Sequence, residues 1–235
     1  MCERFDRWHA CSLCEQDYHG VVAHALGWAC WKTYLGRPEE DPGRYNAMKQ
    51  LGCGLSAAGH HERALSVREA ELAMERRLGA SEDSILAIQS NLASTYSRLG
   101  RNEEALRMRR DVYSGVLKFY GEEHRETIRE ANNYAVVLLS LERHADAKPI
   151  LYKAIPNARR TLGAEHDLTL NLRKFYGQFL YEDPSASRAD VVEAIEIFED
   201  VQRRARRVFG AGHPNWELLP HELTAAREKL ASFDT

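Results

Sequence analysis

Cys11 and Cys14 are separated by two residues, a spacing that lets a thiol pair hold zinc or exchange disulfides. A zinc site would need further ligands, and the nearby candidates are His9, His19, His24 and Cys30. His24 and Cys30 lie about 240° apart round a helix and cannot serve one ion together. No second C-x-x-C follows, so Cys11 and Cys14 are weak metal candidates. They read more simply as thiols in a capping segment, with no cofactor. A redox role would need a thioredoxin-like βαβ setting, and no strand pattern surrounds them. The five cysteines (Cys2, Cys11, Cys14, Cys30, Cys53) are odd in number and crowded towards one end. That is a poor disulfide framework and predicts reduced thiols in the cytoplasm.

Other chemistry-bearing residues yield to structural readings. His124, His166 and His213 each stand three residues after a glycine, so their spacing predicts a helix-start device and not a catalyst. No nucleophile sits in a tight elbow and no phosphate loop occurs, so no enzyme is expected. The run Arg203-Arg204-Ala205-Arg206-Arg207 resembles a nucleic-acid patch. However, Arg76, Lys118, Arg160 and Arg207 all precede a glycine by three residues. That is a last helical turn, where cations complement the negative end of the helix dipole. A net charge of −3 also argues against duplex binding. The tryptophans Trp8, Trp28 and Trp31 are expected in core and end-cap packing.

The elements that carry these residues follow from composition and period. The chain has 235 residues, 44% hydrophobic and 29% charged, the balance of a soluble globular protein. The longest nearly apolar run, Val21 to Trp31, is 11 residues, short of the ~20 a bilayer needs. The segment before it lacks a basic start, so neither membrane partner nor export signal is expected. A bulky residue followed by glycine recurs at Gly36, Gly79, Gly121, Gly163 and Gly210, at intervals of 43, 42, 42 and 47. Small residues recur in step, as Ala64, Ala105, Ala147 and Ala194, and as Gly52, Ala93, Ala135 and Gly177. The long interval contains Asp183-Pro184-Ser185-Ala186-Ser187, an insertion in a turn. Each unit is predicted to hold two helices that cross at the small residues. The pairs are 45–58 with 62–78, a helix through Ile85 to Leu99 with 103–119, 125–141 with 145–162, and 167–182 with 188–209. Ser187 and Asp190 form a predicted capping box. Pro156 is expected to kink its helix, and Pro149 to fall in that helix's first turn.

These landmarks resemble the tetratricopeptide repeat in its 42-residue form, as in kinesin light chain-like proteins. The residues carrying the resemblance include Asn91-Leu92-Ala93, Leu99-Gly100-Arg101, Glu103-Glu104-Ala105-Leu106, Asn132-Asn133-Tyr134-Ala135 and Leu162-Gly163-Ala164-Glu165-His166. Glu82 departs from it, standing where the other units have histidine. HEAT-type repeats of ~40–47 residues are the alternative helical fold, but the small-residue positions and the histidine joints argue against them. The resemblance implies an all-α right-handed superhelical solenoid of stacked antiparallel helix hairpins. Residues 1–41 would form a degenerate leading half-repeat or cap, 42–214 about four repeats, and 215–235 a capping helix. The implied function is recognition of a protein or peptide in a concave groove. No long coiled-coil heptad is present, so motor transport is not implied. Two alternatives stand beside it: a peptide-sensing regulatory part of a larger signalling protein, and a zinc-dependent module on the cysteine pair.

The first helix of each pair would line the groove. Its outward register comprises Asn46, Lys49, Cys53 and Ser56; then Ala87, Ser90, Ser94 and Ser97; then Arg129, Asn132, Val136 and Leu139; then Asn171, Lys174, Gln178 and Tyr181. Asn91 and Asn133 fall at its margin. By the resemblance, the asparagines would hold a ligand backbone and the basic residues a carboxylate. No acidic residue falls in the register, which predicts an acidic peptide. Val136, Leu139 and Tyr181 would take an apolar anchor. The candidate groove residues are therefore Lys49, Ser90, Asn91, Arg129, Asn132, Asn133, Val136, Leu139, Lys174, Gln178 and Tyr181.

Overall fold

The computed structural model describes Trp8, residues 18–210, His213 and residues 216–233. The described residues form ten helices and no strand. They are α1 (Gly20–Tyr34), α2 (Pro42–Ala57), α3 (His61–Arg77), α4 (Glu82–Arg98), α5 (Asn102–Tyr120), α6 (Arg125–Ser140), α7 (His144–Thr161), α8 (Asp167–Glu182), α9 (Arg188–Phe209) and α10 (Leu219–Ala231). The predicted pairs thus become α2/α3, α4/α5, α6/α7 and α8/α9. The chain divides into two compact units, residues 1–108 and 109–235, with the division inside α5.

Helix starts are written in local chemistry. Asp41 caps α2 by accepting from the Gly43 amide at 2.6 Å, and Pro42 supplies a preset φ at the first position. His124 and His166 cap α6 and α8, each Nδ1 accepting a backbone amide two residues on at 3.2 Å. In the remaining unit Glu82 replaces this histidine, and the cap moves back one residue to the Ser81 hydroxyl. The Ser187–Asp190 capping box starts α9 as expected. The last turns of α3, α5, α7 and α9 carry Arg76, Lys118, Arg160 and Arg207.

Helix ends use the left-handed region. Gly59 and Gly100 have φ of 78° and 72°. Their amides, with those of His60 and Arg101, fold back onto the preceding helix's last carbonyls. Glu142 occupies the matching place after α6 at φ 54°, with the same two backward bonds from Glu142 and Arg143. It is the only described non-glycine residue with positive φ. α7 is unbroken through Pro149 and Pro156. Because it begins at His144, Pro149 falls in its second turn and not its first.

In unit 1, Gly52 and Ala93 are buried, as the crossing pattern predicts. The tightest approach lies elsewhere, between α1 and α2. A Cβ on Gly54 would sit 2.5 Å from the Ala23 carbonyl oxygen, and one on Gly27 would sit 3.0 Å from that of Gln50. At Gly52 the nearest atom would be Arg68 Cγ at 3.5 Å. Trp8 and Trp31 pack against the core formed by Cys30, Tyr34 and Ala47. Trp28, expected in the core, is exposed and donates from its indole to His24 at 2.9 Å. In unit 2, Ala135 and Gly177 are buried, and a Cβ on Gly177 would meet the Phe198 ring at 2.7 Å. Phe198 centres a core with Leu170, Val201, Trp216 and Leu219.

Two substitutions in unit 1 should therefore separate. Gly54→Ala forces two backbones apart and should cost roughly 1–3 kcal/mol, whereas Gly52→Ala should be tolerated. Equal denaturation midpoints for the two variants would refute the assignment of the crossing. At Glu142, the left-handed strain of roughly 1–2 kcal/mol outweighs glycine's entropic cost of about 0.5–1 kcal/mol. Glu142→Gly should then raise the urea midpoint with an unchanged slope; a lower midpoint would show that the position is unstrained.

Candidate functional site

In unit 1 the outward residues of α2 are Lys49 and Cys53, both exposed, with Ser56 half-buried. On α4, Asn91 is half-buried, but Ser90, expected on the open face, is buried. Its side chain is too short to reach past its neighbours. Ser94, Thr95 and Ser97 turn their hydroxyls back to carbonyls four residues earlier at 3.1, 3.0 and 3.2 Å. This stretch of α4 satisfies itself and leaves few free donors.

Beneath that face lie charged groups the repeat reading did not single out. Arg68 and Glu71 of α3 are 7% and 2% exposed. Burial pushes the Glu71 carboxyl up to about 7; Arg68 and then Lys49 oppose the shift, and Glu75 adds to it. Burial likewise lowers the Arg68 guanidinium and raises the Tyr45 hydroxyl to about 12, with Glu71 and Glu75 contributing.

In unit 2 an ion pair joins α5 to α6. Arg109 Nη1 donates to Glu130 Oε2 at 2.9 Å, with both side chains buried. Asn133 donates to the other oxygen at 3.2 Å, and Arg129 Nε lies 3.5 Å from it. Arg129 also pairs with Glu126, one turn earlier. Asn133 and Arg129, predicted for a ligand, are thus engaged by internal carboxylates from outside the register. Asn132 keeps a buried carbonyl oxygen without a partner. Val136 is 40% exposed and Leu139 half-buried.

α8 contacts both α6 and α10. Gln178, predicted for the groove, is buried; its amide donates to Glu222 of α10 at 2.8 Å, and the Tyr181 hydroxyl donates to the same carboxylate. Burial, reinforced by Glu222, raises the Tyr181 hydroxyl strongly. These two residues hold the last helix, and the expectation of a surface free of acids fails at Glu222 as at Glu126. Lys229 of α10 donates to the carbonyls of Tyr181 and Asp183 at 2.6 and 2.9 Å, closing the end of α8 at the insertion. Lys174 remains. Its ammonium lies 4.8 Å from the Phe175 ring centre and 5.6 Å from that of Trp216. Burial lowers its pKa, opposed by Glu222 and Asp167. No described residue forms an ion pair or hydrogen bond with it.

A cavity of about 180 Å³ opens on a different side of α6, between α5 and α7. Its walls include Leu117, Ile128, Ala131 and Ala154, with Tyr113 and Lys153 among its polar residues. Three arginines of the run on α9, Arg203, Arg204 and Arg207, are paired locally. Burial alone would raise the Asp200 carboxyl, but hydrogen bonds from Arg204, Arg203 and Arg173 hold it well below the usual range. Arg204 and Arg207 also pair with Glu165. Cys11 and Cys14 lie outside the described residues. Among the described residues no His/Cys/Asp/Glu group could hold a metal ion, and no helix is long and apolar enough to cross a membrane.

The profile of the tetratricopeptide repeat matches residues 84–155. Among curated proteins none matches the chain by sequence. Solved structures share its fold. BtubC (BKLC) from P. vanneervenii superposes with a TM-score of 0.73 at 18% identity, over 90% of this chain and 84% of that one. A kinesin light chain-type protein of nearly identical TPR-like repeats from Podosopora anserina gives 0.67 at 23% identity, over 82% of this chain and 90% of that one. A Rap protein complexed with Competence and Sporulation Factor gives 0.53 at 17% identity, over 90% of this chain and 58% of that one. The fold class is an all-α helical-repeat solenoid.

The buried carboxyl in unit 1 yields a pH test. Folded protein holds the Glu71 proton up to about pH 7, against an ordinary value of 4.5. Between those values the folded state binds more protons than the unfolded one, so stability falls as pH rises through the window. Glu71→Gln should remove that slope, matching the parent's thermal midpoint near pH 4 and exceeding it at pH 8. The same offset at both pH values would show that Glu71 does not titrate in this window.

Proposed function

We propose that the chain, whose residues 84–155 match the tetratricopeptide repeat and whose fold is shared with kinesin light chain-type repeats, is a non-catalytic adaptor. It binds an extended, acidic protein segment that carries one bulky apolar residue. It works in the cytoplasm, where the exposed thiol of Cys53 persists. The Rap protein bound to Competence and Sporulation Factor supports a ligand-holding role for such a fold.

Within unit 2 the face of α6 and α8 carries the reading, and Lys174 is its central observation. A lysine set against two aromatic rings and partly stripped of water gains from an anion that reaches it. Asn132 offers an acceptor to a backbone amide. Val136 and Leu139 supply apolar surface, and burying a leucine or aromatic side chain there contributes roughly 1.5–3 kcal/mol. Arg129 adds positive charge at the edge, tempered by Glu126. Gln178, Tyr181 and Asn133 act through packing, by fixing α10 and Glu130. In unit 1, Lys49 and Asn91 remain as polar contacts for a ligand, and Ser90 does not.

The test uses the full chain and a library of synthetic acidic peptides, each with one leucine or aromatic residue. Lys174→Met keeps the stem over Trp216 and removes the charge; Val136→Asp removes the apolar surface. Each should weaken the selected peptides roughly fivefold or more, with an unchanged helical circular-dichroism signal. The Lys174 effect should shrink as salt rises. Equal affinity for the parent and both variants at low salt would exclude this face.

A further inference from the structure

The cavity between α5, α6 and α7 has a counterpart one repeat further on, and the counterpart is filled. The first helices repeat at 42 residues, so Ala131 of α6 corresponds to Arg173 of α8. The second helices repeat here at 47, because of the insertion, so Lys153 and Ala154 of α7 correspond to Asp200 and Val201 of α9. In the later place the Arg173 guanidinium donates to Asp200 at 2.7 Å, and Val201 is fully buried in one core with Leu170. A long side chain occupies the space and its charge is answered. In the earlier place two methyl groups stand instead, and about 180 Å³ is left open. The charge on the second helix is also reversed, from a carboxylate to an ammonium.

The lining combines an apolar wall with a few polar groups, the usual make-up of a small-molecule site. Ile128 and Ala131, each 1% exposed, form the wall with Leu117 and Ala154. Two buried polar residues of the lining are already engaged. The Thr127 hydroxyl donates to the Val116 carbonyl and the Asn157 amide to the Glu122 carbonyl, both at 3.3 Å. Two donors remain for a guest, the exposed Lys153 ammonium and the Tyr113 hydroxyl. Among the described residues neither has a hydrogen-bond acceptor. Burial, and then Glu122, make the Tyr113 hydroxyl harder to ionise, so it enters as a donor. The Glu122 carboxylate, exposed on the turn before α6, disfavours a guest with more than one negative charge. An apolar cavity of about 150 Å³ admits a benzene-sized guest, so this one suits a single ring or a short branched chain.

We propose that this cavity binds a small apolar carboxylic acid. The body of the acid lies against Ile128 and Ala131, and its one carboxylate meets Lys153 and Tyr113. The guest supplies from outside what Arg173 and Asp200 supply from within one repeat on. The site opens on a different side of α6 from Asn132 and Val136, so it stands or falls independently of the adaptor reading.

Phenylacetate and isocaproate are titrated into the full chain, with the methyl resonances of Ile128 and Ala131 and the thermal midpoint as readouts. Phenylacetamide, phenethylamine and free phenylalanine are the comparison probes. Both acids should move the resonances and raise the midpoint. The neutral amide should bind about tenfold more weakly than phenylacetate, and the amine should not bind. Lys153→Met keeps the stem and removes the charge. It should bring phenylacetate down to the level of the amide and leave the amide unchanged. Ala131→Arg combined with Lys153→Asp transplants the Arg173–Asp200 pair and should exclude every probe. Ala131→Leu fills the space by volume alone and should do the same, which keeps the test open if the transplanted pair prevents folding. Lys174→Met should change nothing. Unmoved methyl resonances with both acids, acid affinity unchanged in Lys153→Met, or acid binding that survives Ala131→Leu would overturn the proposal. Tighter binding of the amine or of phenylalanine than of phenylacetate would give the mouth to Glu122 and overturn the assignment to an acid. Loss of acid binding in Lys174→Met would overturn its placement.

Discussion

A helix hairpin has more apolar surface than its two helices can cover, so each pair must lie close against its neighbours. How close is decided by a few positions with almost no side chain. Where Gly54 meets the Ala23 carbonyl, and Gly177 lies under the Phe198 ring, even a methyl group has no room. Cap chemistry, joint glycines and the lengths of the helices all serve to bring these positions into register. The ring of Phe198, the residues packed on it, and through them Trp216 and Leu219 depend on Gly177 remaining bare.

Much of this is legible in the sequence because the repeat writes it several times. The predicted helix pairs, the joint glycines Gly79, Gly121, Gly163 and Gly210, the helix-start histidines His124 and His166 and the Ser187–Asp190 box appear in the structure, whereas Gly36 takes no positive φ and α10 starts at Leu219, well after His213. The tightest crossing in unit 1 is not legible in the same way, because Gly27 and Gly54 fall outside the recurring glycine and small-residue positions. The binding register was less readable for a different reason. A register says which way a side chain leaves its own helix, and says nothing about what another helix brings to meet it. Glu222 comes from α10, outside the period, and claims Gln178 and Tyr181. Glu126 and Glu130 are neighbours of Arg129 along and across the helix, and claim it in turn.

Buried charge is the part that composition conceals most fully. Arg68, Glu71, Arg109 and Glu130 read as ordinary members of a charged helix surface, yet each is among the least accessible residues of its unit. Their signal was their place: Arg68, Arg109 and Glu71 stand four or seven residues after the small crossing residue, where other units hold Leu151 and Phe198, or Val112, Ala154 and Val201, and Glu130 stands five before one, where they hold Ala47, Ile88 and Leu172. A charge at a position that its sister repeats fill with hydrocarbon is either matched by a partner or left in want of one. The two halves of the chain show both outcomes.

Lys229 carries a consequence for how the far end of the chain comes apart. The other first helices, α2, α4 and α6, close on their own local turns, but α8 has its final carbonyls answered by an ammonium from a helix nearly fifty positions downstream. When α10 peels away, it uncovers Tyr181, Gln178 and the end of α8 together, because one helix supplies the partners of all three. Fraying from this end is therefore not gradual. The last helix and the turn that carries the insertion open and close as one cooperative element, and slow amide exchange at the end of α8 is set by residues far from it in sequence.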